Sequence, residues 1–228
     1  MVELSDIDAV MFDLDDTLLD HSSAATSGAR ELARIVGRTA DVDAFVTSWK
    51  AHSAEAYPRY LSGELTYDEM RYVRMQRSVD SSLSREAALE LFDLYAAAYQ
   101  GAWLVFEDVP ACLQALSNLK LGVITNGRAV EQRAKLRVLD IETHFHHVGI
   151  SEEFGQPKPE PAIFLDACAG LNVQPDRALY VGDSHKIDFL GAQDSGLQAL
   201  WLNRKGKPNA PKAVGEIGSL SELWQSKK

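Results

Sequence analysis

Apolar and polar positions along the chain follow two different rhythms. Residues 7–13, IDAVMFD, form a short apolar run that ends on an aspartate, the mark of a buried strand. After DDTLLD the spacing becomes helical for a long way. SSAATSGARELARIVG begins with serines and ends at Gly37. DVDAFVTSWKAHSAEAY places Val42, Phe45, Val46 and Trp49 at helical spacing and is expected to stop before Pro58. LTYDEMRYVRMQRSV has Thr66 as a cap with Glu69 three residues on, a capping box. SREAALELFDLYAAAYQG starts at Ser84 and stops at Gly101.

Beyond residue 104 the period alternates. VPACLQALSNL reads as a helix, KLGVITNG as a strand with a sharp turn, AVEQRAKLRVL as a helix and HHVGIS as a short strand. EPAIFLDACAGL, ALYVGDS, KIDFLGAQDSG and LQALWLN continue the alternation, and SLSELWQ adds a last short helix. Strands alternating with helices predict an α/β fold with a doubly wound parallel sheet. The expected organisation is an α/β domain, residues 1–17 and 105–228, interrupted by an all-helical insertion at 18–104, long enough for a small bundle or cap. NRKGKPNAPK near the end reads as an exposed loop.

Composition narrows the function. The 228 residues are 46% hydrophobic and carry a formal net charge of -10. So acidic a chain is ill suited to a nucleic acid polymer or an anionic membrane, because both require a basic face. An anionic ligand would need a metal or local cations to offset the field. No apolar run approaches the roughly 20 residues of a membrane span, and MVELSDIDAVMF lacks the pattern of a signal peptide. Cys112 and Cys168 lie outside any CxxC or Cys/His cluster and read as reduced thiols in or near the core. A cytoplasmic protein is expected.

The polar residues that end the strands carry the chemistry. The first strand ends on Asp13, with Asp15 just after. The second ends on Thr125, followed by Asn126-Gly127. ALYVG ends in Gly182-Asp183, with Asp188 five residues later, and Lys158 lies between two prolines just before a helix. In open parallel sheets ligands bind beyond the carboxyl ends of the strands. Each residue alone is a common cap or loop residue. Together they form a site.

These stretches resemble the four motifs of the haloacid dehalogenase-like hydrolases: FDLDDT, ITNG, the KPEP lysine, and GDSHKID. The resemblance covers the whole chain and implies strand order 5-4-1-2-3, with the helical insertion as a C1-type cap. LLD, ITNG and KPEPAIF are most similar to the branch of small-metabolite phosphatases and nucleotidases, whereas WLNRKGKP resembles the tail of true haloacid dehalogenases.

The resemblance implies a nucleophile, Asp13, that forms an aspartyl phosphate, and a general acid and base, Asp15. Mg²⁺ would lie between Asp13 and the anionic substrate, held by the Asp13 carboxylate, the Asp15 backbone carbonyl and Asp183. Asp188 would hold a metal-bound water or Lys158. Thr125 and the Asn126 N–H would bind phosphate oxygens, and Lys158 would neutralise charge on the nucleophile and the phosphoryl group. The expected partner is a small phosphorylated metabolite.

Asp15 weighs against dehalogenation, which needs no acid, since the dehalogenase motif lacks this residue. Phosphomutase or phosphotransferase chemistry is an alternative. A phospho-aspartate receiver switch would place its aspartate on a middle strand, lack an acid two residues on, and be about half this length. Asp16 reads as a turn or cap residue and Asp20 as a helix cap. Substrate choice would lie with insertion residues such as His21, Trp49, Tyr57, Arg59, Tyr60, Arg71 and Arg74, each more often packing or solvated face than ligand. Arg128 and His185 read as exposed loop positions, and His146-His147 as strand-edge residues rather than a metal pair.

Overall fold

The computed structural model describes residues 4–206 and 215–225. Two compact units divide the chain: residues 21–104 form one, and the segments on either side form the other.

The second of these is built on a parallel sheet. Its strands are β1 (Ala9–Phe12), β2 (Lys120–Thr125), β3 (His147–Ile150), β4 (Ala178–Gly182), β5 (Gln198–Leu202) and β6 (Glu216–Ile217), ordered β3-β2-β1-β4-β5-β6. This is the expected order with one added edge strand. The two-residue β6 is too short to show a periodic signal; it pairs Trp201 with Glu216 and Leu202 with Ile217. β1 lies between β2 and β4, and all four of its side chains are buried, as a strand covered on both faces requires. The chain winds outward through β2 and β3, then returns to the other side of β1. The carboxyl ends of β1, β2 and β4 therefore lie side by side where the winding direction reverses.

Leu18 and Leu19, at the end of the first segment, are fully buried. Leu19 bridges Val105 in antiparallel fashion, and Phe106 N–H donates to the Leu18 carbonyl at 3.0 Å. The unit boundaries accordingly fall at 20/21 and 104/105, three residues later at the first crossing than the hydrophobic pattern suggests.

The helical unit holds α1 (His21–Ile35), α2 (Val42–Leu61), α3 (Tyr67–Ser78) and α4 (Arg85–Gln100). Thr66 and Glu69 form the capping box, and Ser84 caps α4. The expectation that α2 stops before Pro58 is wrong: the helix runs through it to Leu61. Pro58 lies in the last turn, where it forfeits a single backbone bond. The carbonyl deprived of a donor belongs to exposed Ala54, and Pro58 itself still accepts from Ser62 N–H at 2.9 Å. An aromatic core fills this unit, with Trp49 4.5 Å from Tyr95 between ring centroids and Phe92 5.3 Å from Tyr95. Gly28 lets α1 approach α4 closely; a Cβ there would lie 2.9 Å from the Tyr95 ring.

In the α/β unit the helices are α5 (Val109–Ala115), α6 (Ala129–Val138), α7 (Ser151–Phe154), α8 (Pro161–Leu171), α9 (Gly191–Asp194) and α10 (Glu222–Gln225). The helix expected over KIDFLGAQDSG opens as a π-helical stretch, His185–Leu190, before α9. Both cysteines are buried free thiols. Burial pushes Cys112 up to about 12 and Cys168 to about 11, which makes them inert. No helix among the described residues is long and apolar enough to cross a membrane.

The expected exposed loop NRKGKPNAPK begins otherwise. Asn203 is buried and its N–H donates to the Ile217 carbonyl, because the chain must return to lay β6 on β5. Residues 207–212 of that stretch lie outside the described residues. Arg204 pairs with Asp108 through two bonds of 2.9 Å and donates to the Thr17 carbonyl. Asp108 also accepts from the Ser219 hydroxyl and the Leu220 N–H. Burial raises the Asp108 carboxyl, but these donors outweigh it and hold the group below the usual carboxylate range. A lowered folded-state pKa contributes stability above the unfolded value and loses it as pH falls through the folded one. Asp108→Asn is therefore expected to cost about 1–3 kcal/mol at neutral pH. In urea titrations the gap from wild type should close as pH falls below about 4.

Candidate active site

β1 ends by delivering Asp13, whose N–H extends the ladder to the Val181 carbonyl at 2.9 Å. The side chain is 6% exposed. Lys158, 4% exposed, reaches it from the loop before α8. Its ammonium donates to Asp13 Oδ1 at 2.6 Å and Asp188 Oδ1 at 2.7 Å, and lies 2.8 Å from the Tyr180 hydroxyl. The Tyr180 hydroxyl donates in turn to the Ile124 carbonyl at 3.1 Å. All three ammonium hydrogens are thus accounted for.

The π-helical stretch explains how Asp188 arrives. Ser184 Oγ accepts from Ile187 N–H, while Asp188 Oδ2 accepts from Ser184 N–H at 2.9 Å. Asp188 then lies so close to the strand end that a Cβ on Gly182 would fall 2.5 Å from it. Only glycine fits there. Carboxylate oxygens of Asp13, Asp183 and Asp188 lie within 4.8 Å of one another. Asp183 follows Gly182 directly, and its carbonyl accepts from Trp201 Nε1 at 2.9 Å.

Asn126 does two things. Its side chain clamps the Lys158 backbone, accepting from Lys158 N–H at 2.8 Å and donating to the Lys158 carbonyl at 3.0 Å. Its own carbonyl accepts from Gln132 Nε2 at 2.8 Å. The hydroxyl of Thr125, a residue 1% exposed, lies 2.7 Å from the same amide nitrogen, whose two hydrogens are shared among these neighbours. Asp15 accepts from Gln132 at 2.9 Å and from Lys135 Nζ at 2.8 and 2.9 Å. Its side chain is one-quarter exposed, unlike that of Asp13.

All seven residues expected at the strand ends meet here: Asp13, Asp15, Thr125, Asn126, Lys158, Asp183 and Asp188. Their electrostatic settings differ. Burial, with Asp188 and Asp183 adding, pushes Asp13 well above the carboxylate range against the pull of Lys158. Burial alone would lower Lys158, but Asp13 and Asp188 overcome it and hold the lysine above its ordinary value. Burial and the same two carboxylates keep Tyr180 a neutral phenol. The three aspartates bring converging carboxylate oxygens, the kind of donor that a hard divalent cation takes.

Other expected positions settle elsewhere. Asp16 has φ 61°, and its N–H donates to the Leu19 carbonyl: it is a turn residue in the left-handed region that glycine favours. Asp20 directly precedes α1. Arg128 occupies the position before α6, half-buried rather than exposed. His185 is also half-buried, because its ring packs against Phe189 and Trp201. His146 Nδ1 accepts from Leu121 N–H, whereas His147 opens β3.

Among the insertion residues, Trp49 and Arg74 are packing. The Arg74 guanidinium lies 4.3 Å from the Trp49 ring centroid and 5.5 Å from that of Tyr95. Arg71 pairs with Asp68 and Asp93, Arg59 with Glu64, and His21 with the Tyr99 hydroxyl. Tyr57 and Tyr60 lie 5.9 Å apart between centroids.

Tyr180, Gln132 and Lys135 escape the sequence reading. Each left a trace. A tyrosine inside a fully buried strand must find a partner for its hydroxyl. Gln132, Lys135 and Leu136 share the buried face of α6, where two polar residues are out of place.

The family model for haloacid dehalogenase-like hydrolases matches residues 7–196. The chain belongs to this family. Among curated relatives of this hydrolase is a glyceraldehyde 3-phosphate phosphatase of Methanopyrus kandleri, 33% identical over 88% of the chain and 85% of the relative. Among solved structures is a HAD-hydrolase of Bacillus subtilis bound to magnesium, with TM-score 0.80, 24% identity, and 96% and 97% of the two chains covered. Another is a 2-haloacid dehalogenase of Pseudomonas syringae, with TM-score 0.68, 29% identity, and 95% and 96% covered.

Breaking the buried ion pairs should be costly in this hydrolase. Lys158→Met leaves Asp13 and Asp188 uncompensated and is expected to destabilise the metal-free protein by about 3–5 kcal/mol in urea titration. Tyr180→Phe removes one hydroxyl and should cost about 1–2 kcal/mol in the same assay.

Proposed function

We propose that the protein is a Mg²⁺-dependent phosphatase of small phosphate monoesters that works through an aspartyl phosphate on Asp13. The observation that carries this reading is the unequal setting of two neighbouring carboxylates. Asp13 is buried beside Lys158, Asp183 and Asp188, whereas Asp15 lies apart from that cluster and is partly exposed. The first suits a nucleophile facing an anion. The second suits proton transfer with a leaving group and with water. The Methanopyrus relative, a phosphatase by name, supports the same chemistry.

In this reading Asp13 attacks phosphorus and the bond to the leaving oxygen breaks. Asp15 gives that oxygen its proton. Water then attacks the aspartyl phosphate, Asp15 takes the proton, and Asp13 is released with inorganic phosphate. Lys158 neutralises charge on Asp13 and the phosphoryl group, and Thr125 with the Asn126 N–H binds non-bridging oxygens. Asp13, the Asp15 carbonyl and Asp183 would hold Mg²⁺, with Asp188 supporting them; bound there, the ion supplies charge stabilisation for the transferring phosphoryl group. Residues 21–104 act as the cap that selects substrates. The reduced thiols of Cys112 and Cys168 suit the cytoplasm.

Asp15 also argues against dehalogenation, despite the Pseudomonas neighbour, because a halide leaves without a proton. Purified protein should turn over p-nitrophenyl phosphate with Mg²⁺ and stop when EDTA removes it. Asp13→Asn should abolish turnover, and Asp15→Asn should lower it by about 10²–10⁴-fold. Chloride release from 2-chloropropionate without metal, and no phosphate release, would overturn the reading.

A further inference from the structure

Asp15 is gripped by two residues that the proposed chemistry leaves without a role. Lys135 Nζ donates to both of its oxygens, and Gln132 Nε2 donates to Oδ2. Both donors rise from α6, three residues apart, on its buried face. They are 1% and 2% exposed. Lysines are almost never this buried without a specific partner. Lys135 also has Glu131 at 3.1 Å, one turn earlier on its own helix, and that pairing alone needs no burial. The helix instead directs the ammonium inward to a loop carboxylate 120 residues away in sequence.

Gln132 adds a second link. Its amide nitrogen faces Asp15 Oδ2, Thr125 Oγ1 and the Asn126 carbonyl at 2.9, 2.7 and 2.8 Å. One side chain thus joins the proton-transfer group to the strand end that would hold the phosphoryl oxygens. A partly exposed aspartate on a loop would otherwise sample several rotamers. Proton transfer requires heavy atoms within about 2.6–3.2 Å, so such sampling wastes encounters.

We propose that Lys135 and Gln132 are positioning residues that fix the Asp15 carboxylate for proton transfer, with Gln132 coupling its orientation to Thr125. The proposal rests on the phosphatase reading and deepens it. Neither residue touches the reacting atoms; both act through Asp15.

p-Nitrophenolate leaves without a proton. Transfer from p-nitrophenyl phosphate to Asp13 therefore does not call on Asp15, whereas hydrolysis of the aspartyl phosphate does. In rapid-quench kinetics with Mg²⁺, Lys135→Met should show a stoichiometric burst of p-nitrophenol, followed by turnover reduced on the order of 10²-fold. In an Asp15→Asn background the same substitution should change the residual rate by less than about 2-fold, because both changes act on one group. Should Lys135→Met fail to fold, Lys135→Arg keeps the charge on a differently shaped head, and the same burst is expected. Equal loss of burst and steady-state rate, or a Lys135→Met loss that multiplies the Asp15→Asn loss, overturns the positioning role while leaving the phosphatase intact. A wild-type protein with no Mg²⁺-dependent turnover overturns both.

Discussion

The cluster that holds Asp13 and Asp188 is organised around the buried ammonium of Lys158. Lys158 Nζ bonds Asp13 and Asp188 and lies beside the Tyr180 hydroxyl, so it connects the end of β1, the middle of β4 and the π-helical turn after β4. Burying a charge is costly, and the cost is offset only where every hydrogen finds an oxygen. That requirement reaches outward. It explains why Asn126 clamps the Lys158 backbone from both sides, why a π-turn brings Asp188 inward, and why residue 182 has no side chain. The sheet order answers the same demand, since only adjacent carboxyl ends of β1, β2 and β4 can surround one atom.

Around that centre lies a second, wetter arrangement. Asp15 stands two residues past Asp13 but belongs to a different network, tied through Gln132 and Lys135 to α6. Two neighbouring aspartates thereby live in different dielectric surroundings. The backbone turn at Asp16 helps to separate them, since its positive φ redirects the chain just after Asp15.

Much of this was legible in the sequence, for definite reasons. Asp13, Thr125 and Asp183 each end an apolar run, and chain order alone places them at one sheet edge. Lys158 and Asp188 stood out by their place beside prolines or five residues past a strand. What hid was of another kind. Gln132 and Lys135 sit within a helix whose charge pattern also fits a solvated face, with Glu131 and Lys135 one turn apart. Tyr180 passed as an ordinary strand residue. β6 has two residues and no period. Pro58 looked like a stop because proline is a strong breaker, yet its effect depends on whether turns remain to be disrupted. In each case tertiary partners, which no local window contains, decided the outcome.

The antiparallel bridge between Leu19 and Val105 has an architectural consequence. The chain leaves the α/β unit and re-enters it through two segments lying side by side, so the eighty-odd residues between them impose only one short loop closure on the sheet. To the Rossmann-like core, the entire helical bundle is topologically no more than a hairpin tip. Its length, helix count and surface can drift without altering strand register or the geometry at Lys158. The chemistry at Lys158 can thus be inherited unchanged while the inserted helices are exchanged.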